Sequence, residues 1–224
     1  VFFFEAYGLP TREFIDSFAQ TFGPRSLLAL SPESGSEEVR RRNKGHSYTN
    51  QELWDCLEYT REKGVKVDLF FGIGLPFECE DDLDKTARLI ARIRKHFPNV
   101  QGVRTFTIEM EPGAPWHLHP EEFGVKTTLQ TFADFYHYHK EEGEGFSAFG
   151  YHIPGYFPDV AEDAGGEFQR RLQEIKCRRF CFIHPDARKS SSPFWGRMLC
   201  RTSALMARGG RLLRSIKGSP KHSL

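Results

Sequence analysis

Short apolar runs alternate, in the first half of the chain, with segments whose apolar residues recur every three or four positions. The apolar runs are rich in aromatic and branched residues, which is typical of buried strands. They predict four strands, at residues 1–6, 26–30, 65–73 and 103–110.

The segments between these runs have the apolar spacing of amphipathic helices. The first helix begins at Pro10-Thr11. The pair Thr49 and Glu52 forms a capping-box pattern that begins the second helix, and Asp81 and Asp82 lie in the first turn of the third, where they suit the helix dipole. The apolar faces contain Phe14, Ile15, Phe18 and Phe22, then Leu53, Leu57 and Thr60, then Leu83, Ala87, Ile90, Ile93 and Phe97.

The resulting β-α-β-α-β-α-β order predicts an α/β fold with parallel strands and right-handed crossovers. Four strands do not close a barrel, which takes about eight in the full TIM fold. Since the chain starts without Met, inside the first predicted strand (Val1-Phe2-Phe3-Phe4), we expect a fragment whose first strands lie upstream of Val1; an open sheet is the alternative.

The composition of the sequence changes after Pro112-Gly113. We therefore divide the chain into residues 1–116, which form the C-terminal part of the α/β domain, an α-rich extension at 117–186 and a basic amphipathic tail at 187–224. The extension predicts helices at 127–142 and 166–180. The aromatic residues of the first of these helices are expected in the core: Phe132, Phe135 and Tyr136.

Charge separates the tail from the rest of the chain. The net charge of +1 combines nine Lys or Arg and no Asp or Glu in 187–224 with a net charge of −8 before it. We favour a tail helix that packs on the rest of the protein; an anionic membrane surface is the second interpretation of 187–224, and nucleic-acid contact is the least favoured. No apolar run reaches the length of a spanning helix, about 18 residues, so no spanning helix is expected. The scattered cysteines favour a cytoplasmic protein, with a peripheral membrane location as the alternative.

Cysteines and histidines give no strong metal signal. The five cysteines are scattered, which suits a reducing compartment, and for the close pair Cys177 and Cys181 we favour packing over metal ligation. The pairs His117/His119 and His137/His139 are likewise interpreted as surface or packed residues. We assign no metal ligand to this chain.

Three loop segments are expected at the carboxyl ends of the strands, where parallel α/β folds bind ligands. Each combines Gly or Pro with polar residues, so its backbone can turn tightly beside a ligand. They are Ser31-Pro32-Glu33-Ser34-Gly35-Ser36, Gly74-Leu75-Pro76-Phe77-Glu78 and Glu111-Pro112-Gly113-Ala114-Pro115. Helix capping by Ser34 or Ser36 is the alternative for the first segment.

In this order, ESGSEEVRRRNKG, GLPFECEDD and EPGAP resemble the C-terminal part of the radical S-adenosylmethionine (radical SAM) barrel. The likeness is nearest to the cobalamin-binding-domain class and looser to tRNA methylthiotransferases. It implies a partial TIM-type (β/α)6 barrel that holds a [4Fe–4S] cluster and S-adenosylmethionine, with a mainly α extension after it. The reduced cluster of that family cleaves S-adenosylmethionine to a radical that abstracts hydrogen or drives methylation.

The resemblance also implies roles for single residues. Glu33 and Ser34 match the strand-end pair that contacts the ribose or methionine moiety, and Lys44, or in its place Arg41 or Arg42, matches the basic position near the methionine carboxylate. The turn Gly74, Leu75 and Pro76 matches the one that lies against adenine. Glu78 is expected to satisfy turn amides rather than to act in catalysis. The charges of Glu37, Glu38 and Arg40 are interpreted as solvated helix surface.

The sequence departs from the family at the cluster loop, because it contains no Cys-x-x-x-Cys-x-x-Cys. We therefore expect the cluster and any cobalamin on the missing N-terminal part of the same protein, and this chain alone to be inactive. The substrate is not identified. A non-redox module that binds a nucleotide or adenosyl ligand, and an accessory protein that binds membrane or RNA through its tail, remain alternative functions.

Overall fold

Four parallel strands form the centre of the fold, in the order β1-β2-β3-β4. The computed structural model describes residues 2–44, 47–141, 151–156 and 165–180, without the side chains of 138–141, 165–169, 173 and 177. The strands are β1 (Phe3–Ala6), β2 (Leu27–Glu33), β3 (Lys66–Ile73) and β4 (Val100–Thr107). The predicted parallel α/β order is confirmed for these residues; the number of strands in a complete barrel stays a prediction.

Helices connect the strands. They are α1 (Arg12–Thr21), α2 (Glu37–Asn43), α3 (Asn50–Glu62) and α4 (Glu80–His96). The capping box predicted for the second connection is confirmed, since the Thr49 hydroxyl accepts the Glu52 amide and the Glu52 carboxylate accepts the Thr49 amide. These local bonds fix where α3 begins.

The two faces of the sheet have different surroundings. Val67, Leu69 and Phe71 of β3 have no exposed surface and, by alternation along the strand, share one face of the sheet. Alternation places Asp68 on the opposite face, beside Gly102 of β4, its register partner. A Cβ at Gly102 would lie 2.7 Å from an Asp68 carboxylate oxygen, so glycine there makes room for the acid.

Two strand boundaries differ from the sequence prediction. β2 continues past residue 30 to Glu33, because a bulge after Leu30 lets Glu33 pair with Phe71. β4 covers residues 100–107 rather than 103–110. It ends there because its partner β3 ends at Ile73, where Gly74 turns the chain with φ +83°.

The C-terminal part adds small elements. They are α5 (Pro115–Leu118), β5 (Lys126–Thr127), α6 (Phe132–Glu141), β6 (Tyr151–His152) and α7 (Gly165–Arg179). β5 and β6 form an antiparallel pair that the sequence analysis did not predict, since two-residue strands carry no usable periodicity. Arg179 of α7 forms ion pairs with Glu80 and Asp84 of α4.

The prediction that the α6 aromatics lie in the core is wrong for two of three residues. Phe135 is 3% exposed, but Phe132 is 83% and Tyr136 54% exposed. The helix begins after Thr131, whose hydroxyl exchanges hydrogen bonds with Asp134. Only one side of this short amphipathic helix faces the protein, and of the three aromatic residues only Phe135 lies on it.

Contacts group Val1–Phe180 into one compact unit. The proposed boundary after residue 116 stays a prediction. The tail at 187–224 and the residues Cys181 and Cys200 lie outside the described residues. Within the described ranges, no helix combines the length and apolar character needed to cross a membrane.

Candidate functional site

Buried Arg40 organises the loop that leaves β2. Its guanidinium donates to the carbonyl oxygens of Pro32 (3.1 Å), Ser34 (2.6 Å) and Tyr48 (2.6 Å), and to Asn50 Oδ1 (2.8 Å). The residue has 0% exposure, so the interpretation of Arg40 as solvated helix surface is wrong. Burial lowers the pKa of the guanidinium, while the Tyr48 ring packs 4.6 Å from its central carbon. Its charge is therefore compensated mainly by carbonyl dipoles.

The segment Ser34-Gly35 is pressed against α4. Ser34 is fully buried; its hydroxyl accepts the Ser36 amide and lies 3.4 Å from the Thr86 hydroxyl. The Gly35 amide donates to Thr86 Oγ1, and a Cβ at Gly35 would lie 2.4 Å from the Thr86 Cα. Neither serine caps α2 through its side chain. The side chain of Ser34 thus serves packing in this structure, and its contact with a ligand stays a prediction.

A charged cluster occupies the ends of β1 and β2. Lys44 Nζ donates to the carbonyl oxygens of Tyr7 (2.7 Å) and Ser31 (2.6 Å) and lies 3.2 Å from Glu33 Oε1. Ser31 donates its hydroxyl proton to Glu5 Oε1 at 2.9 Å. The structure therefore brings together Glu33 and Lys44, two of the residues that the sequence analysis singled out.

Glu33 has an unusual backbone. Its φ of +61° lies in the left-handed region, which a residue with a side chain adopts at a cost of about 1–3 kcal/mol. The bulge in β2 produces this conformation at the strand end, and the carboxylate keeps 25% of its side-chain surface exposed. Bulges that aim a side chain are common beside binding sites.

The turn Gly74–Glu78 follows β3 and is closed by its own glutamate. Glu78 Oε2 accepts the amides of Gly74 (2.8 Å) and Leu75 (3.3 Å), which confirms that Glu78 satisfies turn amides. The remaining carbonyls are also engaged, since Tyr151 donates to Gly74 and Asn43 donates to Pro76. Gly74, Leu75 and Pro76 are all buried, so these backbone groups are engaged within the protein and are not free polar groups.

Burial raises the pKa of Glu78 to about 7. The Gly74 amide, the Tyr156 hydroxyl and the Leu75 amide favour the charged form but do not outweigh desolvation, and nearby Asp82 opposes it. Glu78 Oε1 has no hydrogen-bond partner in the described part of the chain, so Oε2 alone receives these donors.

The last turn of α2 joins the two strand ends. Asn43 donates from its side-chain amide to the Pro76 carbonyl at 2.8 Å, while the next residue, Lys44, donates to the Ser31 carbonyl. The guanidinium of Arg42 lies 3.3 Å from the centre of the Phe77 ring. Arg41, in contrast, is exposed and pairs with Glu38.

The third predicted segment, residues 111–115, is largely exposed and leads into α5. Gly113 has φ +81° and donates its amide to His117 Nδ1, which agrees with a packed role for this histidine. Trp116 makes an edge contact with Tyr151 at 4.8 Å, and this links the segment to the Gly74 turn.

The described ranges contain no candidate metal site, because no three His, Cys, Asp or Glu side chains lie close enough together to hold an ion. Cys56 is buried and Cys79 is exposed, both as free thiols. The Cys177 side chain, Cys181 and the His139 side chain lie outside the described positions, so the interpretation of these pairs is untested.

Comparison with known proteins supports the radical SAM resemblance. Residues 4–90 match the family model of the Radical SAM superfamily. An uncharacterized protein of Methanocaldococcus jannaschii is 26% identical over 87 residues, which are 38% of this chain and 19% of that protein. The matched part of the chain thus spans about a fifth of that relative's length. The family match contains the first two strand-end segments and ends before the third.

Replacing Arg40 by Gln should destabilise the protein strongly. The change removes donors from the carbonyls of Pro32, Ser34 and Tyr48, and each unsatisfied buried group costs about 1–3 kcal/mol. The free energy of unfolding, measured by urea denaturation, is therefore expected to fall by about 3–5 kcal/mol. Arg41→Gln is the matched control on the same helix, and only a small change is expected because its ion pair is exposed. Equal effects of the two variants would contradict the role given to Arg40.

Glu78 should make stability depend on pH near neutrality. Because its folded pKa of about 7 lies above the ordinary glutamate pKa of about 4.5, its stabilising contribution is complete below about pH 4.5 and is lost as the pH rises through 7, by on the order of 3 kcal/mol. Glu78→Gln should flatten this part of the curve in urea denaturation between about pH 5 and 8. The exposed control Glu121→Gln should keep the wild-type curve, and an unaltered curve in Glu78→Gln would refute the assignment.

Proposed function

We propose that these residues form part of the S-adenosylmethionine site of a radical SAM enzyme. The observation that carries the proposal is the joining of Glu33, Lys44 and the Gly74–Glu78 turn at the carboxyl edge of one parallel sheet, within residues that match the Radical SAM superfamily. At the coarse level, that family match implies an enzyme.

The chemistry of the charged cluster fits the polar end of S-adenosylmethionine. Its amino-acid end carries an ammonium and a carboxylate, and the cluster offers a partly exposed carboxylate on Glu33 beside the ammonium of Lys44. A cation near the methionine carboxylate would form a charge-assisted hydrogen bond. Ser34 is proposed to have two roles: its buried hydroxyl holds the end of β2 in place, and the residue also contacts the ligand.

The Gly74–Glu78 turn suits the other end of the ligand. Its polar backbone groups are engaged within the protein, so Gly74, Leu75 and Pro76 would present an apolar wall to adenine. Because burying apolar surface away from water is favourable, such a wall would favour the binding of a flat aromatic ring. Lys44 and Asn43 would set the distance between the wall and the charged cluster, because they are consecutive residues of the α2 end.

The [4Fe–4S] cluster, when bound, supplies the electron for reductive cleavage of the S-adenosylmethionine sulfonium. Its thiolate ligands are proposed to come from residues outside this sequence, which has no Cys-x-x-x-Cys-x-x-Cys. The finer proposal is a cobalamin-associated enzyme that transfers a methyl group or performs related radical chemistry. The residues of this chain would then orient the ligand and exclude water.

Lys44→Gln should weaken S-adenosylmethionine binding about tenfold or more, because a hydrogen bond between charged groups contributes about 1.5–3 kcal/mol. The measurement is calorimetry with the full-length protein that carries this sequence, after anaerobic iron–sulfur reconstitution. Lys95→Gln, in the last turn of α4, is the matched control and should bind like the wild type. Unchanged affinity in Lys44→Gln would remove Lys44 from the site.

The same reconstituted protein should form 5′-deoxyadenosine from S-adenosylmethionine when it is reduced. The product is measured by liquid chromatography and mass spectrometry, with unreduced protein as the control. Tight binding of S-adenosylmethionine without iron, together with no 5′-deoxyadenosine, would instead favour the non-redox adenosyl-binding module.

A further inference from the structure

Two tyrosines from residues 151–156 hold the Gly74–Glu78 turn from outside. The Tyr151 hydroxyl donates to the carbonyl oxygen of Gly74 at 3.0 Å, and the Tyr156 hydroxyl donates to Glu78 Oε2 at 2.9 Å. Both tyrosines are buried, with 3% and 5% exposure. Their hydroxyls therefore reach the backbone of the turn and the carboxylate that closes it.

Tyr151 connects the ends of two strands. Its hydroxyl also lies 2.8 Å from the carbonyl oxygen of Ile108, which follows β4, while Gly74 follows β3. A single hydroxyl proton is shared between the two carbonyls, so the hydroxyl stays between them. The Trp116 ring makes an edge contact with the phenol ring and fixes its direction.

Leu172 of α7 closes the outer side of the turn. A Cβ at Gly74 would lie 2.7 Å from Leu172 Cδ1 and 3.3 Å from the Tyr151 hydroxyl oxygen. Leu172 itself has no exposed surface. Gly74 is thus required both for its positive φ and for the close approach of these two side chains, and the turn has no free space on this side.

We propose that Tyr151 and Tyr156 are positioning residues for S-adenosylmethionine and act through the Gly74–Glu78 turn. The inference rests on the proposed function, since it takes this turn as a wall of the ligand site. Tyr151 sets the turn relative to the end of β4. Tyr156 sets the Glu78 carboxylate, which in turn holds the amides of Gly74 and Leu75.

The C-terminal extension would therefore help to position the ligand site, and no sequence motif in the extension predicts this role. Tyr151 and Tyr156 lie 77 and 78 positions after their partners in the turn. Tyr→Phe variants at these positions keep the ring and its packing and remove only the hydroxyl. The turn would then lose one external hydrogen bond while the core around it stays filled.

The test is the dissociation constant of S-adenosylmethionine in the reconstituted full-length protein and in its Tyr151→Phe and Tyr156→Phe variants. Each lost hydrogen bond is expected to weaken binding about fivefold, measured by calorimetry well below the melting temperature. Tyr59→Phe is the matched control, because the Tyr59 hydroxyl also donates to a carboxylate, Asp16, but between α3 and α1. It should lower stability without changing the dissociation constant.

A spectroscopic readout separates positioning from general destabilisation. The hydroxyl of Tyr156 favours the charged form of Glu78, while Asp82 opposes it from α4. The carboxyl ¹³C titration of Glu78, followed by NMR, should therefore move to higher pH in Tyr156→Phe. It should not move in Tyr59→Phe.

The possible results distinguish the two proposals. Weaker binding in both tyrosine variants, with Tyr59→Phe unchanged, supports the positioning role. Unchanged affinity in both variants, while Lys44→Gln binds weakly, overturns the positioning role and leaves the proposed function standing. Absence of binding in the wild type overturns the proposed function and this inference with it. If Tyr151→Phe does not fold, Tyr156→Phe decides the outcome.

Discussion

The buried guanidinium of Arg40 is the constraint on which the site depends. An arginine side chain keeps its charge in proteins, so its burial requires acceptors on all sides. The carbonyls of Pro32, Ser34 and Tyr48 meet that requirement only when the end of β2 and the start of α3 close around α2. This closure sets the direction of α2 and thereby the positions of its last residues beside both strand ends.

Much of the fold follows from local signals in the sequence. The apolar runs predicted β3 and the start of β2, because buried strands of a parallel sheet are continuously apolar. The apolar run of β1 also forms a strand, although its residues are largely exposed. The start of α3 was predicted because both bonds of its capping box join Thr49 to Glu52, three residues away. The strand-end loops were predicted for a similar reason, since βα alternation fixes which end of each strand they follow.

The features that complete the site have no local signal. Arg40, Arg41 and Arg42 are equivalent by composition, and a helix as short as α2 has too few apolar residues to reveal which arginine faces inward. Tyr151 and Tyr156 lie 77 and 78 positions after the residues they contact in the Gly74 turn, so spacing alone does not indicate the contact. Ser34 was recognisable as a strand-end hydroxyl, but its burial against Thr86 depends on how α4 packs.

The joining of Asn43 and Lys44 to different strand ends limits how the chain length can vary. In a helix each residue is rotated by about 100° from the one before it. One residue inserted between Ser36 and Arg40 would therefore turn the donors away from Pro32, Pro76 and Ser31 together. Length changes among related chains are accordingly expected outside residues 36–44, which contain the donors of these three bonds.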